Sequence, residues 1–191
     1  MKDRYLQSAA RKSRIKSKIK DIIWAITKAT RKAILVVTGI GGVQVFEGSL
    51  GIRVKRNGVW YNFGTVCHKV ISTAFAEFVV DQLITETSVF GDFKYHQIGT
   101  GSTAEAAAQT ALITPVESVT TGSQAEDSSK VYKSTASIAI TDTRALREHG
   151  IFNNATPASG TMMDRSLYDV ISLISGDTFE TTYKLTVSDN T

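Results

Sequence analysis

The stretch from Leu50 to Phe63 constrains the fold most. Ile52 and Val54 alternate with Arg53 and Lys55, and Val59, Tyr61 and Phe63 return on alternate positions beyond Asn57-Gly58. Asn-Gly supplies the two positive φ angles of a type I′ turn, whose twist matches that of paired strands. The segment is predicted to be a β-hairpin with one apolar face, which commits the chain to antiparallel sheet.

Other segments share this period of two. Phe93 to Ile98 reads as a strand ending in Gly99-Thr100-Gly101-Ser102-Thr103. Val131 to Ile140 alternates, with Tyr132, Ala136, Ile138 and Ile140 as its inward set. A turn at Gly176-Asp177 precedes the strongest strand: Phe179, Thr181, Tyr183, Leu185 and Val187 face one way, Glu180, Thr182, Lys184 and Thr186 the other. Ile34 to Thr38 is a β-branched run, read as a strand broken by Gly39, Gly41 and Gly42. Residues 70–87, with Val70, Ala74, Phe78 and Leu83 set against Glu77 and Asp81, favour a helix. The Ala-rich residues 103–113 are expected to form one or two helical turns, and residues 120–130 and 153–161 to be polar loops. Together these signals predict a mainly β chain: an antiparallel β-sandwich or barrel-like body with a long N-terminal α-helix and one or two short helices.

The N-terminal segment follows a different period. Ile15, Ile19, Ile22, Ile26, Ala29 and Ala33 recur at steps of four and three, a narrow seam of heptad type. No Pro or Gly occurs before Gly39. Residues 1–33 hold eleven Lys and Arg against Asp3 and Asp21, a charge of +9, while the eleven basic and sixteen acidic residues that follow leave −5. The division expected is a basic amphipathic helical arm, residues 1–33, joined to a β-rich structural domain, residues 34–191. The seam has three readings: it packs on its own domain, it docks on a partner subunit, or it meets membrane or nucleic acid. The residues that would carry docking are Arg11, Lys12, Arg14, Ile15, Lys16, Lys18, Ile19, Lys20, Ile22 and Ile26. Nucleic acid is possible but not favoured, because only Tyr5 and Trp24 supply stacking rings and no recognition motif is present.

Composition narrows the classes further. Hydrophobic residues make up 42% and charged residues 21%, enough for a real core. No run of 18 apolar residues occurs, so no membrane span is expected, and the basic N-terminus lacks the apolar stretch of a signal peptide. The single cysteine, Cys67, rules out an intramolecular disulfide and fits a reducing setting.

Chemical motifs fail on named residues. Gly39-Ile40-Gly41-Gly42 lacks the third glycine of a dinucleotide fingerprint, where Gln44 stands. Gly99-Thr100-Gly101 lacks the lysine of a phosphate loop. Cys67 and His68 would point to opposite faces of a strand, and His96 and His149 stand isolated in sequence. One Cys and three His leave little for a zinc site, and no cofactor is expected. Asn57 and Gly58, and Gly176 and Asp177, are read as structural turns. Asp164-Arg165 is read as a charged pair bracing a loop against the sheet, with an anion site as the alternative. Trp60, Tyr61 and Phe63 are either core packing plus one exposed ring or an aromatic platform for carbohydrate.

The second half of the chain resembles a known group. His96-Gln97-Ile98-Gly99-Thr100-Gly101 leads to Thr110-Ala111-Leu112; later come Arg147-Glu148-His149-Gly150-Ile151-Phe152 and Gly160-Thr161-Met162-Met163-Asp164-Arg165-Ser166. The close is Ile171-Ser172-Leu173-Ile174-Ser175-Gly176-Asp177-Thr178-Phe179 and Tyr183-Lys184-Leu185-Thr186-Val187. Over about residues 90–190 this order resembles virion structural proteins of tailed bacteriophages: head-decoration, tail and fibre-base components. The resemblance implies a β-rich assembly module without catalysis, located in the virion and assembled in the host cytoplasm. Its partners would be other virion proteins, either the major capsid protein or tail and neck proteins, and it would be a homo-oligomer in the particle. Its leading role would be capsid decoration or cement, the alternative a neck, tail or fibre-base ring or trimer.

Overall fold

The computed structural model describes residues 3–37, 45–84 and 93–188. The chain is a β-sandwich with a long N-terminal helix. Helix α1 spans Arg4–Val37, followed by β1 (Val45–Arg56), β2 (Val59–Val70), α2 (Thr73–Ile84), β3 (Tyr95–Gly99), β4 (Pro115–Thr121) and β5 (Ser123–Ser128). The remaining strands are β6 (Val131–Ala139), β7 (Arg144–Phe152), β8 (Met162–Leu173) and β9 (Thr178–Ser188). A five-stranded sheet runs β2-β1-β9-β6-β5 and a four-stranded sheet β4-β3-β7-β8, every pair antiparallel.

The hairpin and the last strand form the middle of the larger sheet. Asn57 and Gly58 take φ values of 51° and 77°, the left-handed pair that the turn requires. Leu50, Ile52, Val54, Tyr61 and Phe63 are buried, as are Phe179, Tyr183 and Leu185 of β9, which pairs with β1 on one side and β6 on the other. They face Ile98, Leu146, Ile151, Tyr168, Ile171 and Leu173 of the smaller sheet, forming one core. Ser72 starts α2: its Oγ accepts from the Phe75 N–H at 3.2 Å and donates to the Met162 carbonyl at 2.6 Å. Phe93 then packs edge to face against Phe75 and Phe78 of that helix.

Four expectations are corrected. Ile34 to Val37 continue α1 rather than starting a strand: strand propensity is a weak preference, and a formed helix gains a hydrogen bond with each added residue. Thr38, Gly39, Gly41, Gly42 and Gln44 lie outside the described residues. The Ala-rich residues 103–113 form no helix; the Gln109 N–H reaches the Ala106 carbonyl at 3.0 Å, a single turn, while Arg165 holds the Thr103 carbonyl and the Gln109 side chain. Residues 120–130 are not a loop but the end of β4 and the strand β5. This is an edge strand exposed along its whole length, so its polar composition is what a solvated edge requires. Arg144–Phe152 and Met162–Leu173 are strands with long buried runs and little alternation, so Asp164 and Arg165 lie within β8 rather than on a loop.

Helix α1 closes one side of the sandwich. Strands β2 and β8 are edges of the two sheets. The helix lies along β2 and reaches β8: Ser13 Oγ donates to the Phe63 carbonyl at 2.8 Å, Lys20 Nζ to the Val66 carbonyl at 2.9 Å, and Lys16 pairs with Asp169 at 2.6 Å. Covering an exposed strand edge in this way blocks it from pairing with another chain.

Candidate docking face

Two stripes at heptad spacing run along α1 and point in nearly opposite directions. Leu6, Ala10, Ser13, Ser17, Lys20 and Trp24 face the body, with Leu6, Ala10 and Ser17 buried. At about 100° per residue, Ile15, Ile19, Ile22 and Ile26 centre about 180° away. They are 55%, 52%, 60% and 61% exposed, and Ile23, 58% exposed, widens the stripe. The inward stripe is the less apolar one. Its small side chains let the helix come close: a Cβ at Gly64 would sit 3.3 Å from Ser17 Oγ. Of the three readings of the seam, packing on its own domain is therefore excluded for Ile15, Ile19 and Ile22. Ala29 and Ala33 carry side chains outside the described set.

The basic residues divide between the two sides. Arg11, Lys12, Arg14 and Lys18 are exposed. Lys16 and Lys20 turn toward Asp169 and the Val66 carbonyl. The Asp21 carboxylate accepts from His68 Nε2 at 2.6 Å, and Trp24 stacks on the same ring at 5.4 Å, so β2 grips the middle of the helix. The N-terminal turn is gripped by charge. Arg56, buried at the end of β1, pairs with Asp177 at 2.6 Å and with Asp3 at 2.5 Å. The hydrogen bond to Asp177, with a second to Asp3, holds the Arg56 pKa above its ordinary value, against the effect of burial. Gly176 has φ 88°, so the expected turn is present, but Asp177 is also the buried counter-charge that joins turn, hairpin and helix.

The Asp164-Arg165 pair is replaced by another. Arg165 pairs with the fully buried Glu148 of β7 at 2.7 Å, because adjacent residues on a strand point to opposite faces. Glu148 also accepts from the N–H groups of Gly101, Ile113 and Thr114 at 3.0, 3.1 and 2.8 Å. Burial pushes its carboxyl up, but these bonds and Arg165 outweigh that and hold it below the usual range. The cluster fixes residues 100–114 to the smaller sheet. Asp164 instead lies near Tyr183 and accepts from Ser166 Oγ at 3.3 Å.

The two histidines that stand apart in sequence meet in the core. His96 Nδ1 lies 2.9 Å from His149 Nε2 and 3.0 Å from Thr181 Oγ1, and His96 Nε2 lies 2.8 Å from Ser134 Oγ. His96 and His149 belong to the smaller sheet, Ser134 and Thr181 to the larger, so the cluster ties the two layers together. Cys67 is buried while His68 faces α1, so the pair does face apart. Trp60 is 40% exposed with Arg53 over its ring at 4.4 Å, whereas Tyr61 and Phe63 are buried: core packing plus one exposed ring.

Among the described residues no group of three or more His, Cys, Asp or Glu side chains could hold a metal ion, and no helix is long and apolar enough to cross a membrane. Compared with family models, with curated proteins and with solved structures, the chain matches none. Sequence reasoning missed Ile23, Arg56 and Glu148. Ile23 was visible from its helical angle beside Ile19 and Ile26; the other two carry no local signal, since their partners lie far along the chain.

Proposed function

We propose that this chain is a non-enzymatic virion structural protein, a decoration or cement subunit that attaches to neighbouring shell proteins through α1. The observation that carries this reading is the outward isoleucine stripe. Ile15, Ile19 and Ile22 lie in water with more than half their surface exposed, while the inward face of the same helix is already occupied. Burying an apolar side chain stabilises by about 1.5–3 kcal/mol, so an exposed row of them favours a partner. The basic residues around the stripe suit an acidic shell surface and make attachment salt-sensitive. Removing residues 1–33 would not test this, because Leu6 and Ala10 belong to the core. The test is occupancy on purified shells. The triple variant Ile15→Ser/Ile19→Ser/Ile22→Ser should lose attachment while keeping its melting temperature; full occupancy would refute the reading.

The heptad spacing favours a second reading, a neck, tail or fibre-base component in which the stripe closes a ring or trimer. A stable closed oligomer of the free protein in solution would select it.

A further inference from the structure

We infer that the partner seated on this stripe is an acidic amphipathic helix, which packs against α1 as a short heterotypic coiled coil; the inference rests on the docking reading above. The spacing of the stripe comes first. Ile15, Ile19, Ile22 and Ile26 alternate at four, three and four residues, the pattern of the two core positions of a heptad. A flat surface places no such demand on spacing, whereas a facing helix accepts each residue as a knob in a hole of four. The exposed seam runs three turns, about 16 Å.

Charge then decides which helix. The positions beside the seam hold Arg11, Lys16 and Lys18, and Lys12 extends the seam at its N-terminal end. Asp169 engages Lys16, but Arg11, Lys12 and Lys18 are exposed, and no acidic residue stands beside the seam. A second copy of α1, parallel or antiparallel, would set these cations against cations. A helix with Glu or Asp at its flanking positions sets opposite charges across the same seam, which selects partner and orientation. A lipid surface suits the stripe less well. Its apolar residues are all isoleucine, and Trp24, which could anchor an interfacial helix, is turned toward His68.

The experiment uses the full-length protein and two synthetic helical peptides with the same isoleucine seam, one flanked by glutamate and one by lysine. Binding is read by fluorescence anisotropy at physiological and at high salt. The acidic peptide should bind about tenfold more tightly, the summed effect of a few exposed ion pairs. High salt should narrow that difference. The variant Ile15→Ser/Ile19→Ser/Ile22→Ser should weaken binding of the acidic peptide at least as much. Equal binding of the two peptides would overturn the inference. So would unchanged binding by the serine variant, self-association of the protein alone, or tighter binding to phosphatidylglycerol vesicles than to the acidic peptide. If the acidic peptide fails while the serine variant still loses attachment to shells, the helical partner is wrong and the docking face stands.

Discussion

Lowering the pH from about 7.5 to about 5.0 should destabilise the folded chain by about 4 kcal/mol, nearly all of it through His96 and His149. Both are buried, and neutral tautomers satisfy their contacts, with one nitrogen of the His96 Nδ1–His149 Nε2 contact donating and the other accepting, and the Ser134 and Thr181 hydroxyls completing the set. A proton added to the accepting nitrogen of that contact would face the N–H of the other ring. Burial lowers the His96 pKa to about 3, and burial followed by the nearby His96 lowers His149 well below the ordinary value of 6.5. The unfolded chain binds these protons near pH 6.5 and the folded chain does not. Stability is therefore full above that pH and falls as pH drops toward the folded values. At pH 5 each histidine costs about 2 kcal/mol, from about 1.4 kcal/mol per pH unit. Asp3, Asp169 and Glu148 have lowered folded pKa values, so their contributions are lost only at more acid pH, below their unfolded values. The assay is denaturant unfolding followed by the fluorescence of Trp24 and Trp60 at several pH values, with His96→Gln/His149→Gln as control. The double variant starts less stable, but its stability should change little over this range, and His68 is common to both proteins. A variant that loses as much stability as the parent would refute the reasoning.

Other perturbations have defined sizes. Asp177→Ala leaves Arg56 buried without its fully buried, bidentate counter-charge and should cost about 3–5 kcal/mol, measured by urea unfolding. Asp3→Ala should cost about 1 kcal/mol or less, because Asp3 is partly solvated; equal losses would contradict the assignment. Gly58→Ala meets no neighbouring atom but forces a side chain to φ 77°, so a loss of about 1 kcal/mol is expected from strain alone. Ile15, Ile19 and Ile22, each changed singly to serine, should shift stability by no more than about 0.5 kcal/mol; a larger drop by calorimetry would mean that the stripe is packed.

The parts of the fold that depend on near neighbours were readable. Asn57-Gly58 and the alternation around it gave the hairpin, because turn geometry and side-chain period act within a dozen residues. The alternating residues of β9 and β6 gave their inward faces for the same reason. Strands β7 and β8 were not readable as strands, because their buried runs do not alternate and polar residues such as Glu148, His149, Asp164, Arg165 and Ser166 sit inside them. Those residues are tolerable in the core only because distant groups satisfy them.

The helix separates the two kinds of information most clearly. The amino-acid order alone determined that the N-terminal segment up to residue 33 would be helical, that isoleucines would share one stripe, and that the stripe would be flanked by cations. It could not say which side would face the sheets, because the apolar seam fitted packing on its own domain and docking on a partner alike. Tertiary structure decided that, because close approach to β2 needs small side chains such as Ala10 and Ser17, and because Asp3, Asp177 and Arg56 meet only in the folded chain. The most apolar face is left in water by that choice, and that leaves it open to a partner.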